Sequence, residues 1–452
     1  MIQNCIKKIF IFGLGHSGRS VVKYYISKNN KIFAWDDNDL VREEVKNEFP
    51  EINICNPKEV SWKNIFFIII SPGISQNHKL LDYPRRLNIP FYRDLEIFSQ
   101  NVDNKKVIAV TGTNGKSTTV SFIGNMLSLN EKNVFIGGNL KPPLIEALKI
   151  GSYNKYVIEL SSYQLELAPS FNSYISILLN IHEDHIERYG NIHNYSLVKK
   201  KIFQNFNNEK YAIISLDDPI SLSVFQELNN TIKKAIPISV EKKLKQGVFF
   251  ANNCIIDNYF EKNIINLSSQ KNTIFINNNK QNILASYVVS KILRYNNDLF
   301  LSALKCFKSL KHRSEIIYQN NKLLVVNDSK ATNLSSSIHS IKSNNEVHLI
   351  MGGTLKNKNF DVLKNLKNKI RKIYLIGEAS DYIFEQLKDD ISCEKCNLMD
   401  VAVKKCFNDI KKINQFSTIL LSPACSSFDQ YEDFESRGDH FINLSEKFYK
   451  NI

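Results

Sequence analysis

Residues 107–119 read Val-Ile-Ala-Val-Thr-Gly-Thr-Asn-Gly-Lys-Ser-Thr-Thr. Few folds accept that order. An apolar strand delivers the chain to a turn where Gly112 and Gly115 expose backbone N–H groups, and a helix from about Lys116 aims its positive dipole end at the same point. Lys116 offers a point charge to β- and γ-phosphates, and Ser117 a hydroxyl to Mg²⁺. Val110 stands where the strict P-loop pattern has a glycine, so the match is to the shorter form Thr-Gly-Thr-Asn-Gly-Lys-Ser. A glycine turn that merely joins strand to helix is the bland alternative. The motif begins about a quarter of the way along the chain, which leaves room for a domain ahead of it.

A chain of 452 residues exceeds one ordinary core and suggests three domains. The expected fold class is α/β. In residues 1–103, Ile9-Phe10-Ile11-Phe12 leads into Gly13-Leu14-Gly15-His16-Ser17-Gly18 and a helical pattern through Tyr25. A second strand over 31–35 ends at Asp36, where dinucleotide folds place a ribose-binding acid, and a third over 64–70 stops at Ser71-Pro72-Gly73-Ile74. This block reads as Rossmann-like. Residues 104–310 form a central P-loop-type ATPase α/β domain, with strands at 107–111, 156–160 and 174–181, short peripheral strands over 216–275, and an apolar helix at 283–293. Residues 311–452 again alternate strands and helices; strands at 323–326, 347–351, 373–376 and 418–421 each run into a polar or glycine-rich loop, as in a second Rossmann-like domain.

Composition narrows the function classes. Lysine plus arginine exceed the acids by 14, but the lysines are scattered and no nucleic-acid module accompanies them, so the charge is read as bias and no nucleic-acid partner is expected. Such a field still helps to attract polyanions. Eight cysteines without framework spacing read as cytosolic thiols, and the lone Cys393-x-x-Cys396 lacks the second pair that zinc would require. No apolar run approaches the roughly 18 residues of a membrane span, and the N-terminus lacks signal-peptide features. A soluble, cytoplasmic protein is expected.

Several groups can do chemistry. Glu159 is a carboxylate inside an apolar run, a costly place unless it meets a cation. His185, in His182-Glu183-Asp184-His185, is either a ligand or an ordinary loop histidine. Lys199, Lys200 and Lys201 read equally as a solvated helix face. Lys330 and Lys356, each in a small-residue loop after a strand, can neutralise a phosphate or orient a carboxylate, and Asp328 beside Lys330 reads equally as a turn acid.

The cradle, the run Glu159-Leu160-Ser161-Ser162-Tyr163-Gln164-Leu165-Glu166, Asn180 with Glu183-Asp184-His185, and Asp328-Ser329-Lys330-Ala331-Thr332-Asn333 together resemble the Mur ligases. Ser71-Pro72-Gly73-Ile74 and the stretch Ser422-Pro423-Ala424-Cys425-Ser426-Ser427-Phe428-Asp429-Gln430 are similar to those of members that add D-glutamate. The resemblance implies amide synthesis driven by ATP through an acyl phosphate, on UDP-N-acetylmuramoyl-L-alanine and D-glutamate, by a monomer. It implies that Gly112, Thr113, Asn114, Gly115, Lys116, Ser117 and Thr118 bind ATP, with Asn279, Asn282, Arg313, Asp328 and Lys330. By the same resemblance Ser17, Asp36, Gly73 and Asn139 meet the UDP-sugar, and Thr332, Lys356, Ser427 and Phe434 the D-glutamate. Two Mg²⁺ ions are implied, one at Ser117 and Glu159, the other at His185 and a carbamylated Lys199. Lys116, His185 and Lys199 are the implied catalytic residues, and the last domain closes over ATP. Departures from the family pattern fall at Asn38, Lys141, Asn278 and Ser314. A folylpolyglutamate-synthase-like enzyme would begin with its ATPase domain; an NAD-dependent dehydrogenase, or an ATP-gated binding protein, remain as readings of other classes.

Overall fold

Short β-branched and aromatic runs bounded by glycine, asparagine and proline form three sheets in the computed structural model, which describes residues 8–149, 151–270, 273–308, 310–355, 359–413 and 415–449. The first sheet has the order Asn53–Ile54, Lys31–Trp35, Lys8–Phe12, Phe67–Ile70, Phe91–Tyr92, all parallel. Chain order reverses between Lys8–Phe12 and Phe67–Ile70. The loops leaving those two strands therefore face each other at a switch point, where open α/β sheets take ligands. Gly13 is there because nothing larger fits: its φ is +90°, and a Cβ would lie 2.7 Å from Ser71 Cβ.

The second sheet has nine strands, in the order Asn263–Asn266, Cys254–Asp257, Val248–Ala251, Ala235–Ser239, Tyr211–Ser215, Ile175–Leu178, Val107–Thr111, Lys155–Glu159, Val134–Gly138. It is parallel from Val248–Ala251 to Val134–Gly138; the other two strands extend it antiparallel. The cradle strand Val107–Thr111 lies central and fully buried. The helix Lys116–Ser128 behind it packs on the helices Lys280–Ile292 and Asn297–Cys306, with Phe122 edge-on to Phe300 at 6.0 Å. Full burial of each such aromatic or aliphatic side chain contributes about 1.5–3 kcal/mol, which makes this helix a firm mount for the loop at its start.

The third sheet orders Glu315–Gln319, Leu323–Asn327, Ser417–Leu421, Val347–Gly352, Ile370–Ile376, Cys393–Asn397. Only its first strand is antiparallel. Its core is split over the two faces, around Leu349 and Ile383 on one side and Ile350 and Phe407 on the other.

Two compact units result: Met1–Lys271 with Lys280–Cys306, and Asn272–Asn279 with Phe307–Ile452. The first two sheets share a unit. Residues 272–279, which the block reading placed mid-chain, group with the second unit. The strand read over 64–70 is the fourth in the chain, after Asn53–Ile54, and starts at Phe67, because Trp62–Asn64 closes a 3-10 turn. The strand read to residue 181 ends at Leu178, where the backbone leaves the ladder to meet the cradle.

Candidate active site

The cradle forms where the sequence places it. Gly115 takes φ +83° as the N-cap of the helix Lys116–Ser128, and the residues after Leu178 close the other side. Thr113 N donates to Asn180 O at 2.8 Å, Asn114 N to Asn180 Oδ1 at 2.8 Å, and Thr113 Oγ1 to His182 O at 3.2 Å. Asn180 Nδ2 in turn donates to Gln281 Oε1 at 2.8 Å. Asn282, which is buried, sits so close that a Cβ on Gly115 would lie 2.4 Å from its Oδ1. Thr118 is buried in the first helical turn.

Four groups converge on this loop. Lys116 Nζ donates to Gly112 O at 2.9 Å and to Thr113 O at 2.8 Å, and Lys199 Nζ reaches the same Gly112 oxygen at 2.8 Å. Ser117 Oγ donates to Glu159 Oε2, whose Oε1 accepts from Asn139 Nδ2 at 2.8 Å. Glu159 ends its strand 2% exposed. The helix Ile192–Lys200 turns Tyr195 and Lys199, four residues apart, to one buried face, with the Lys199 nitrogen 4.7 Å from the Tyr195 ring centre. Burial first, and then the Lys116 ammonium, push Lys199 well below the ordinary lysine range against the pull of Asp184 and Glu159. His185 takes φ +56° and lies with Nδ1 2.7 Å from the Tyr163 hydroxyl, its ring 6.3 Å from that of Tyr195. Lys200 and Lys201 turn away, to Glu227 and to Glu166 O.

At the first sheet's switch point Ser71 Oγ donates to Gly13 O at 2.7 Å, Ser17 Oγ to Asp94 Oδ2 at 2.9 Å, and Gly73 is exposed. Asp36 uses its carboxylate to close the loop, accepting from Leu14 N at 2.7 Å and Asn38 N at 3.0 Å. Asn38 is itself a helix cap, its side chain accepting from Leu40 N. A cation beside Asp36 is Arg42, stacked 4.0 Å over Trp35 and bonded to Asp36 O at 2.5 Å.

In the second unit the loops after Leu323–Asn327 and Ser417–Leu421 are held together by Arg437. Its Nε and Nη2 donate to Ser329 Oγ and O at 3.0 and 2.8 Å, and its Nη1 to the carbonyls of Cys425 and Ser426 at 3.2 Å each. Burial brings this guanidinium down to about 10, so it stays charged at neutral pH. Lys330 Nζ lies 3.5 Å over the Phe434 ring, an attractive cation–π placement. Asp328 accepts from Ser314 N at 3.0 Å and from Ser340; burial, offset by these bonds and by Arg313, raises its carboxyl to about 6. Thr332 is half-buried, Ser427 buried, and Lys356 lies outside the described residues. Asn279 Nδ2 bonds Phe275 O at 2.9 Å, and Asn278 O accepts from His339 Nε2 at 2.8 Å.

The chain matches known proteins along its length. Residues 110–296 match the Mur ligase middle domain. A UDP-N-acetylmuramoylalanine–D-glutamate ligase of Rickettsia bellii is 35% identical over 440 residues, 97% of each chain. Its counterpart in Wolbachia pipientis is 32% identical over 503 aligned positions, covering 98% of this chain and 97% of that one. The chain belongs to the Mur ligase family. Solved Mur ligases show the same fold at low identity: the UDP-N-acetylmuramate–alanine ligase of Thermotoga maritima with a TM-score of 0.60, 17% identity and coverage of 97% and 99% of the two chains, and the MurF ligase of T. maritima in complex with ADP with 0.61, 16%, 93% and 95%.

Among the described residues of this Mur ligase, no group of three or more histidines, cysteines and carboxylates is set to hold a metal, and none of the helices is long and apolar enough to cross a membrane. Sequence reading missed Tyr163, Tyr195, Arg93, Arg188 and Arg437 as parts of the site. The one signal available was local: Ser161 and Gln164 form a capping box, which fixes the short helix that carries Tyr163.

Proposed function

We propose that this Mur ligase joins D-glutamate to UDP-N-acetylmuramoyl-L-alanine, cleaving ATP to ADP and phosphate. The observation that carries the reading is the convergence of Lys116 and Lys199 on the Gly112 carbonyl beside the Ser117–Glu159 pair, in a chain 35% identical across 97% of a relative named for that reaction. A carboxylate is a poor electrophile. The substrate carboxylate therefore attacks the γ-phosphorus, giving an acyl phosphate and ADP; the neutral amine of D-glutamate attacks its carbonyl, and phosphate leaves from the tetrahedral adduct.

The chain's residues answer the charge problem of bringing two anions together. Gly112 and Gly115 offer backbone N–H groups, Thr113 and Asn114 line the cradle while their own N–H groups hold it to Asn180, and Lys116 exchanges its carbonyl partners for phosphate oxygens. Asn282 and Asn279 contact adenine, and Arg313, Asp328 and Lys330 reach ATP. The donor set suits magnesium: Ser117 and Glu159 would supply oxygens for one ion. A second ion needs an oxygen that a lysine lacks. Lys199, held toward its neutral amine by burial, would supply one by adding CO₂ and losing a proton; the Tyr195 ring centre lies 4.7 Å from its nitrogen and 6.3 Å from the His185 ring. With Nδ1 donating to the Tyr163 oxygen, His185 presents a lone pair at Nε2, for a metal or for a proton from the incoming ammonium. Two Mg²⁺ bound here would neutralise triphosphate charge and polarise the reacting oxygens.

Domain roles follow: residues 1–103 bind the UDP-sugar through Ser17, Asp36 and Gly73, with Asn139 from the central domain; residues 104–310 bind ATP; residues 311–452 bind D-glutamate through Thr332, Lys356, Ser427 and Phe434 and close over ATP. The enzyme acts as a cytoplasmic monomer. Phosphate release is measured with ATP, Mg²⁺, UDP-N-acetylmuramoyl-L-alanine and single amino acids. Absence of a D-glutamate-dependent signal sinks the reading.

A further inference from the structure

We propose that Arg93, Glu166 and Arg188 form a positioning clamp that sets the sugar-nucleotide loops of the first sheet at a fixed distance from the reaction centre. The assignment of those loops to the sugar nucleotide rests on the proposed function. Arg93 is 0% exposed and stands just before the helix Asp94–Asn101. Its Nη1 donates to Ile70 O at 3.0 Å and Ser71 O at 2.5 Å, and its Nη2 to Ile74 O at 3.0 Å and Glu166 Oε2 at 2.6 Å. One side chain thus grips both ends of the Ser71–Ile74 loop and the carboxylate of the neighbouring sheet.

The clamp continues to the chemistry. Glu166 also accepts from Arg188 Nε at 2.8 Å, Arg188 Nη2 at 2.7 Å and the Tyr189 hydroxyl at 2.9 Å. Burial would raise this carboxyl, yet the two guanidinium groups hold it below the usual range. Arg188 Nη2 returns to Ile74 O at 3.1 Å, and its guanidinium lies 4.4 Å over the ring of Tyr163, whose hydroxyl touches His185. A second prong runs alongside. Asp94, the next residue, takes Ser17 Oγ at 2.9 Å and Gln164 Nε2 at 3.3 and 3.4 Å. Adjacent residues therefore reach both ligand loops of the first sheet and both Gln164 and Glu166, on the segment that follows Glu159.

Stability is a weak reason to build this. Buried ion sets are often no more stabilising than apolar side chains of the same volume, because desolvation offsets the attraction. What they provide here is directional: a planar fork fixes carbonyl positions as a methionine cannot.

The test separates positioning from general loss of structure. In Arg93→Met, the Kd for UDP-N-acetylmuramoyl-L-alanine, read by calorimetry, rises at least about tenfold, and kcat at saturation falls by up to about a hundredfold, as expected for a displacement near 1 Å. The Kd for a non-hydrolysable ATP analogue with Mg²⁺ stays within about twofold. Equal weakening of both ligands, or of neither, overturns the clamp. If that variant does not fold, Arg188→Lys decides: it keeps a cation for Glu166 but cannot also hold Ile74 O, so sugar-nucleotide affinity falls about threefold to tenfold, and an unchanged Kd overturns the inference. A wild-type protein that fails to bind the sugar nucleotide refutes the proposed function instead, and is distinguishable from either result.

Discussion

Gly115→Ala tests whether the cradle's shape is imposed by its surroundings. An alanine at φ +83° costs about 1–2 kcal/mol in the left-handed region. Its Cβ would stand 2.4 Å from Asn282 Oδ1 and 3.2 Å from Leu179 Cδ1, and relieving such overpacking adds about 1–3 kcal/mol. The sum, about 2–5 kcal/mol, corresponds to an unfolding midpoint lowered by roughly 4–10 °C for a unit of this size. Asn282 must also shift, so the KM for ATP rises tenfold or more. Thermal denaturation and phosphate-release kinetics read both. Gly151→Ala is the matched control: nothing lies within 4 Å of its added Cβ, so its stability stays within about 0.5 kcal/mol. A Gly115→Ala protein that melts with the wild type and keeps its KM for ATP would refute the steric reasoning.

Lys199→Ala should lower turnover by at least about a hundredfold while circular dichroism and ATP-analogue affinity change little; full activity would remove both the carbamate and the electrostatic role. Glu159→Gln keeps the shape but gives up the charge, so the Mg²⁺ concentration for half-maximal rate should rise about tenfold or more, and an unchanged requirement would place the ion elsewhere. Asp328 has a folded-state value raised from 3.8 to about 6 by burial, so its contribution is fully present below about pH 4 and lost as pH rises through 6. The second unit of the wild type should lose about 3 kcal/mol across that window relative to Asp328→Asn, and parallel pH profiles for the two proteins would contradict it.

The parts legible in the sequence are those whose physics is local. Glycines that open backbone N–H groups, a lysine and a serine at a helix start, and a carboxylate in an apolar run mark the cradle and Glu159 without help from distant residues. The lysine triplet shows the limit. Composition reads three solvated side chains, but Lys200 and Lys201 are half-buried, turned to Glu227 and to Glu166 O, and Lys199 is 1% exposed because the helix phase sets it beside Tyr195 against the cradle. The resemblance picked it out, the periodicity did not. Arg93 left no mark at all, since its partners Ile70, Ile74 and Glu166 lie 19 to 73 residues away and two of them contribute only carbonyls. Asp36 reads as a ligand contact by position, and its bonds to the backbone N–H groups of Leu14 and Asn38 are a loop-closing part that position does not reveal.

Arg437 carries a consequence for mutational additivity. Because one buried guanidinium is bonded at once to Ser329 and to the carbonyls of Cys425 and Ser426, and Ala424 N donates to Ala331 O at 2.9 Å and Ser422 Oγ to Asp328 Oδ2 at 3.3 Å, the 328–333 and 422–428 loops are fastened as one. Substitutions in one are then felt in the other. Paired changes, such as Ser329→Ala with Ser427→Ala, should depart from the sum of their separate effects by about 0.5–3 kcal/mol, although the two residues are nearly a hundred positions apart in the chain. Selection acting on either loop is therefore acting on both.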